Sequence, residues 1–185
     1  MLRGLRSQDA RQWHRMAVIY VPLVSHWCRK AGARTDDCDD IVQEVFRTVS
    51  ARIGEFRRER PGAFHRWLWT ITRHKLGDYF RKMKATPLAI GGADFMHELQ
   101  MIADADEPPF EDAPNGLAGV CRRALNLIRN EFEETTWQAF WRAVVDEQNP
   151  AHIAADLGIS VNAVYLAKSR ILRRLRAELG DMEAS

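Results

Sequence analysis

Side chains suited to reading and holding duplex DNA gather near the C-terminus. Small and polar residues come first, and these types can approach base edges in a major groove. Lysines and arginines follow, and they can hold phosphates. We therefore predict that DNA is bound by Ser160, Val161, Asn162, Ala163, Tyr165, Lys168, Ser169, Arg170, Arg173 and Arg174.

A helix-turn-helix is the element that would position these side chains. Ala154 is small where a second helix would cross, Gly158 suits a turn with positive φ, and Ser160 can cap the following helix. Asn149 is a candidate cap for the first helix, just before Pro150. Such a unit presents its second helix to a major groove. The alternative is a solvated basic helix in an ordinary bundle, but the turn and the cap together favour DNA binding.

A second set of cations and aromatic rings lies in residues 52–84, which hold ten Lys or Arg residues and three acids. A protein that binds unpaired DNA needs cations for the backbone and flat rings for splayed bases. Helical spacing assigns Phe64 and Trp67 to a core stripe, whereas His65 and Trp69 fall off it and are predicted to be exposed. The DNA-binding candidates here are Arg57, Arg58, His65, Trp69, Arg73, His74, Lys75, Tyr79, Arg81 and Lys82.

The helix predicted before this basic stretch carries acids instead. Asp40, Gln43, Glu44 and Arg47 share one helical face, opposite the apolar stripe, and Asp39 adjoins them. An acidic face repels DNA, so it suits a protein partner. The alternative is an ordinary solvated face, because surface charges often contribute little.

Helical periodicity dominates the chain, and strand alternation and hairpin turns are missing. We predict an all-α fold of two small helical domains, residues 1–84 and 117–185. Residues 85–116 contain no Lys or Arg but many acids, prolines and glycines, which predicts an acidic flexible linker with a short helix near residues 95–102. Pro22 should kink the first helix or interrupt its hydrogen bonding, and Thr35 should cap the second.

Composition narrows the class of protein further. The net charge of +2, from 27 basic and 25 acidic residues, says little about partners. No apolar run reaches the length of a membrane span, and the N-terminus lacks the apolar core of a signal peptide, so we expect a cytoplasmic protein. The three cysteines are too few and too far apart for a disulfide framework, and we predict neither a metal nor a cofactor.

Two sequence motifs resemble one protein family. Residues 39–46 read DDIVQEVF, similar to the D-D-x-V-Q-E-V-F signature of sigma region two. Residues 64–74 read FHRWLWTITRH, similar to its F-x-x-W-L-x-x-I-x-R-N continuation, with His74 in the place of Asn. The C-terminal helix-turn-helix resembles sigma region four. The order of the motifs and the acidic linker resemble the extracytoplasmic-function group of RNA polymerase sigma factors.

The resemblance implies partners and roles. Asp39, Asp40, Gln43 and Glu44 would contact the clamp helices of the large polymerase subunit, and the core's flap would be a further contact. Residues 55–64 and the next helix would melt and capture the minus-ten element. The recognition helix would read the minus-thirty-five element, and the linker would thread toward the RNA exit path. Many relatives are held by an anti-sigma factor, which would cover the polymerase-facing surfaces, but nothing in the sequence identifies one for this chain.

Two other functions would account for part of the sequence. A transcriptional regulator that binds duplex DNA without polymerase explains the C-terminal half, but not the acidic helix or the basic, aromatic one. A DNA recombinase would need a catalytic site, and we find neither a nucleophile context for the serines nor a Gly-rich phosphate loop. We predict that the protein is not an enzyme.

Overall fold

The computed structural model describes Leu5 and residues 9–57, 63–84 and 116–179, with only the backbone given for Lys84. All regular elements in these ranges are helices, so the predicted all-α class is confirmed there. The chain divides into two compact units, an N-terminal unit (Met1–Val120 with Asp181–Ser185) and a C-terminal unit (Cys121–Gly180). The proposed short helix and almost all of the proposed linker lie outside the described residues, and the predicted domain limits stay a prediction.

Three helices build the described part of the N-terminal unit: α1 (Ala10–Lys30), α2 (Thr35–Arg52) and α3 (Ala63–Lys84). The side chain of Asp9 caps α1 by accepting a hydrogen bond from the Arg11 amide at 2.9 Å. Pro22 lies inside α1, but the helix continues on both sides of it. Thr35 is the first residue of α2 and not its cap, because the cap position belongs to Arg34, which is extended and makes no side-chain capping bond.

Aromatic side chains hold α1 and α3 together. The ring of Trp27 lies 5.2 Å from that of Trp69 and 5.1 Å from that of His65, measured between centroids. Tyr20 meets Phe64 edge-on at 5.1 Å. The prediction that His65 and Trp69 lie on the surface is therefore wrong, since they are only 4% and 0% exposed. Helix α3 packs against both α1 and α2, and its buried face is consequently wider than one apolar stripe.

The C-terminal unit begins within α4 (Leu117–Ile128), whose residues from Cys121 onward belong to it. It continues with a 3₁₀ turn (Arg129–Glu131), α5 (Glu134–Val144), α6 (Pro150–Leu157) and α7 (Val161–Leu179). It has two apolar clusters. One joins Leu125, Ile128, Trp137, Phe140 and Ile171. The other joins Ala139, Ile153, Ala154, Val164 and Ala167. Helix α5 contributes to both clusters and so joins α6 and α7 to the rest of the unit.

Candidate nucleic-acid and protein-binding surfaces

Helices α6 and α7 form the predicted turn, with the geometry that the sequence indicates. The Asn149 side chain accepts a hydrogen bond from the Ala151 amide at 2.8 Å and caps α6. Gly158 ends α6 at φ +65°, where a side chain is disfavoured, and the Ile159 amide then bonds back to the Ala154 carbonyl at 3.0 Å. Ser160 Oγ accepts from the Ala163 amide at 3.1 Å, which confirms its capping role.

The outward face of α7 carries most of the predicted DNA-binding residues. Ala163 is half-buried, but the other members of this set, apart from Arg174, are exposed: Ser160, Val161, Asn162, Tyr165, Lys168, Ser169, Arg170 and Arg173. The only acid on α7 is Glu178, which is buried near its end. The exposed face therefore combines polar and apolar groups at its start with cations further along, as groove binding requires.

Arg174 does not belong to this free surface. Its Nε and Nη2 donate to the two carboxylate oxygens of Glu131 at 2.6 and 2.7 Å, and its Nη1 donates to Glu178 at 2.9 Å. These bonds raise the pKa of the Arg174 guanidinium, the bond to Glu131 most of all, so the group stays charged. The prediction that Arg174 holds a phosphate is corrected: its donors bind the 3₁₀ turn before α5 and the end of its own helix.

A cleft of about 410 Å³ opens between the end of α2 and the start of α3. Buried Phe56 and half-buried Trp67 contribute its rings, whose centroids lie 5.0 Å apart. The remaining lining is Arg52, Glu55, Arg57, Ala63 and Arg66, and Glu55 lies 3.7 Å from Arg52. Arg57 is exposed, as predicted, and donates to the Gly54 carbonyl at 3.0 Å, whereas Arg58 lies outside the described residues.

The predicted DNA-binding residues leave out three that line this cleft: Arg52, Arg66 and Trp67. Helical spacing assigns Trp67 to the core, but the residue is only half-buried. A signal was available, because Arg66 and Trp67 adjoin within one basic stretch, and an adjacent cation and ring suit an unpaired, stacked base.

The other predicted DNA-binding residues of α3 differ in how far they are exposed. His74, Arg81 and Lys82 are exposed, and Arg73 and Lys75 are half-buried. Arg81 pairs with Asp78 one turn earlier. The Tyr79 hydroxyl donates to Asp37 of α2 at 2.7 Å, and burial together with that bond raises the pKa of Tyr79. Tyr79, predicted as a DNA contact, therefore links α3 to α2 through its hydroxyl.

The acidic face of α2 is exposed as predicted. It comprises Asp39, Asp40, Gln43, Glu44 and Arg47. Part of its charge is compensated within the unit. Glu44 pairs with Arg47 and lies 3.7 Å from Lys75 Nζ of α3, and Arg47 also reaches Gln43 at 3.4 Å. Within the described residues neither Asp39 nor Asp40 forms such a pair, so the charge that these residues leave uncompensated lies at this end of the face.

No group of three or more potential metal ligands occurs in the described parts of the chain. Cys28, Cys38 and Cys121 are free thiols there. Burial raises the pKa of Cys28 to about 12, which keeps that sulfur protonated and unreactive. Of the helices that the structure describes, none combines the length and apolarity of a membrane span.

Comparison with known proteins gives one informative match. Residues 16–86 match the family model of sigma-70 region 2, and this span covers α1 from Met16, all of α2 and all of α3. A search of curated proteins finds no match. A solved complex of the sigma factor RpoE with the anti-sigma factor NepR from Bartonella quintana matches at 16% identity over 91% of this chain and 96% of that one. Its TM-score is 0.34, too low to bear on fold or function.

Proposed function

We propose that this chain is an RNA polymerase sigma factor of the extracytoplasmic-function type, which binds the core enzyme and directs it to promoters. One observation carries the proposal. The segment that matches sigma-70 region 2 is the same helical unit that presents an acidic α2 face and a cleft of arginines and aromatic rings.

The acidic face supports a protein contact. Asp39, Asp40, Gln43, Glu44 and Arg47 are exposed together on α2, and Asp39 and Asp40 leave charge available for a basic partner surface. We assign this face to the clamp helices of the large polymerase subunit. Like charges on DNA would be repelled here, so protein and DNA contacts are separated on the unit.

The cleft suits one strand of a melted promoter. Its half-buried Trp67 ring offers a stacking surface of the kind that gives about 1–3 kcal/mol per base, and the exposed Arg52 and Arg57 can hold the neighbouring phosphates. Loss of stacking on opening costs about 1.4 kcal/mol per step, so one or two captured bases offset much of the local cost. The C-terminal helix-turn-helix would read the minus-thirty-five duplex with α7. Neither contact requires catalysis by this chain, and polymerase supplies the chemistry.

The test is core binding and promoter-directed transcription. Asp40→Lys combined with Glu44→Lys should abolish retention on immobilised core polymerase and run-off transcription, while circular dichroism stays unchanged. Asp146→Lys with Glu147→Lys makes the same charge change at exposed positions of the other unit and should keep both activities. If the first variant binds core like the wild type, this interface is refuted.

The rival is a regulator that acts on duplex DNA without polymerase. It accounts for α6 and α7 but leaves the acidic face and the cleft without a role. If the wild-type chain binds specific duplexes but is never retained by core polymerase, the rival is correct. A cytoplasmic location follows from the sigma factor proposal, and an anti-sigma factor is a partner that this proposal allows but does not require.

A further inference from the structure

Exposed apolar side chains cluster at the start of α7. Val161, Tyr165 and Leu166 are 40%, 57% and 47% exposed. The other large apolar residues that are exposed in the described ranges, Val18, Leu117 and Val145, lie far apart in the sequence. Single exposed apolar residues are ordinary, but here Val161 and Tyr165 lie one turn apart, and Leu166 adds an exposed apolar side chain on a different side of the same helix.

Leu166 lies at the centre of the outward face of α7. It follows Val164, which is 1% exposed, by two residues, and a two-residue step turns a helix by about 200°. Asn162 precedes Val164 by the same step, so Asn162 and Leu166 are neighbours one turn apart on the exposed side. Arg170 and Arg173 continue this face toward the C-terminus. Leu166 therefore lies between Asn162, a candidate for reading bases, and the arginines that are candidates for binding phosphate.

The charge around Leu166 identifies the chemistry of its partner. Lys168, Arg170 and Arg173 are exposed, and no acid occurs on α7 before Glu178. Such a surface suits a polyanion. Of the groups that base pairs display in the major groove, the apolar one is the C5-methyl of thymine.

We propose that Leu166 is a specificity-determining residue that contacts the C5-methyl group of a thymine in the promoter duplex. This inference rests on the proposed function and deepens it by naming a base and the side chain that reads it. The contact buries about one methyl group, and its loss should weaken binding about fourfold.

The experiment removes the methyl from the DNA and the side chain from the protein. The full chain with core polymerase first selects a preferred duplex from a library randomised upstream of the start site. Each selected thymine that lies in the major groove facing α7 is then replaced by deoxyuridine, which lacks only the methyl. One replacement should weaken wild-type binding about fourfold, whereas Leu166→Ala should bind both duplexes with the weaker affinity.

Controls separate this contact from other effects. Leu166→Gln keeps the side-chain length and should also lose the response to deoxyuridine. Val145→Ala truncates an apolar residue that is 46% exposed outside α7 and should keep the full response. Since Leu166 is exposed, both Leu166 variants should unfold at the same denaturant concentration as the wild type.

The outcomes are distinguishable. If Leu166→Ala keeps the full fourfold penalty, or binds DNA normally but loses retention by core or by another protein, the thymine contact is overturned while the proposed function stands. If the wild-type chain gives core polymerase no sequence preference at all, the proposed function is overturned and this inference with it.

Discussion

Arg173 and Arg174 are adjacent and chemically identical, yet the structure assigns them opposite roles. Arg173 is exposed on α7, whereas Arg174 donates three hydrogen bonds to Glu131 and Glu178. Arg174→Ala should therefore lower the stability of the C-terminal unit. Arg173→Ala, its matched control, should leave stability unchanged and weaken DNA binding instead.

The size of the effect follows from the contacts. A hydrogen bond to a charged group contributes about 1.5–3 kcal/mol when it is protected from water. The Arg174 side chain is 31% exposed and the Glu131 side chain 39%, so solvent screening reduces the contribution of that pair to stability to about 1 kcal/mol. Glu178 is 4% exposed, and the bond to it keeps about 1–2 kcal/mol. Arg174→Ala should thus cost about 2–3 kcal/mol in the free energy of unfolding, against less than about 0.5 kcal/mol for Arg173→Ala.

Two measurements check this difference. Urea unfolding gives the stability of each variant, and a double-mutant cycle of Arg174→Ala with Glu131→Ala should show about 1 kcal/mol of coupling. DNA binding as a function of salt should lose about one unit of slope in Arg173→Ala. If Arg174→Ala keeps wild-type stability and loses the same slope as Arg173→Ala, then Arg174 binds phosphate and the network does not form in solution.

Three further predictions concern buried and strained positions. Burial lowers the pKa of His65 to about 4, below its unfolded value of about 6.5, so its contribution to stability is complete above pH 6.5 and is lost as the pH falls toward 4. Urea unfolding between pH 6.5 and 4 should show the free energy of unfolding falling by up to about 1.4 kcal/mol per pH unit from this group. His65→Phe should flatten this pH dependence. If the variant and the wild type show the same pH dependence, His65 is not buried as the structure shows. Trp69→Ala should cost about 3–5 kcal/mol in the free energy of unfolding, because this side chain is fully buried. Trp67 is half-buried, so Trp67→Ala should keep most of that stability and impair promoter opening measured by permanganate footprinting. Equal losses of stability in the two variants would refute the assignment of Trp69 to the core and Trp67 to the cleft. Gly158→Ala should lower the free energy of unfolding by about 1–2 kcal/mol through the positive φ alone, because no atom lies within 4 Å of the added Cβ. Gly158→Asn should lower it less, because Asn tolerates the left-handed conformation better. Thermal melts that show Gly158→Asn as the less stable variant would contradict this explanation.

Local signals predicted the caps and the turn of α6 and α7 well. The Asn149 cap, the Gly158 turn and the Ser160 cap each act within two to five residues of sequence, and all three are present in the structure. The predicted exposure of Asn162 and Tyr165 is also confirmed, because one periodic apolar stripe faces the core of that unit.

Tertiary packing explains the errors. His65 and Trp69 fall off a single stripe, but α3 is covered from two sides, and sequence periodicity cannot distinguish one covering helix from two. Arg174 meets Glu131 across 43 residues of sequence, a distance at which no helical spacing rule operates. Tyr79 reaches Asp37 across 42 residues for the same reason.

The same packing also creates the cleft, of whose lining residues only Arg57 is among the predicted DNA-binding residues. Because Trp69 turns inward to Trp27, the tryptophan two residues earlier lies on another side of α3, beside Phe56. Arg52 comes from the end of α2 and Arg66 from the start of α3, so the cations and the rings of the cleft meet only when the two helices pack. The strand capture that we propose for this cleft therefore depends on the α2–α3 interface. A change that loosens this interface should therefore weaken promoter opening even when every residue of the cleft is intact.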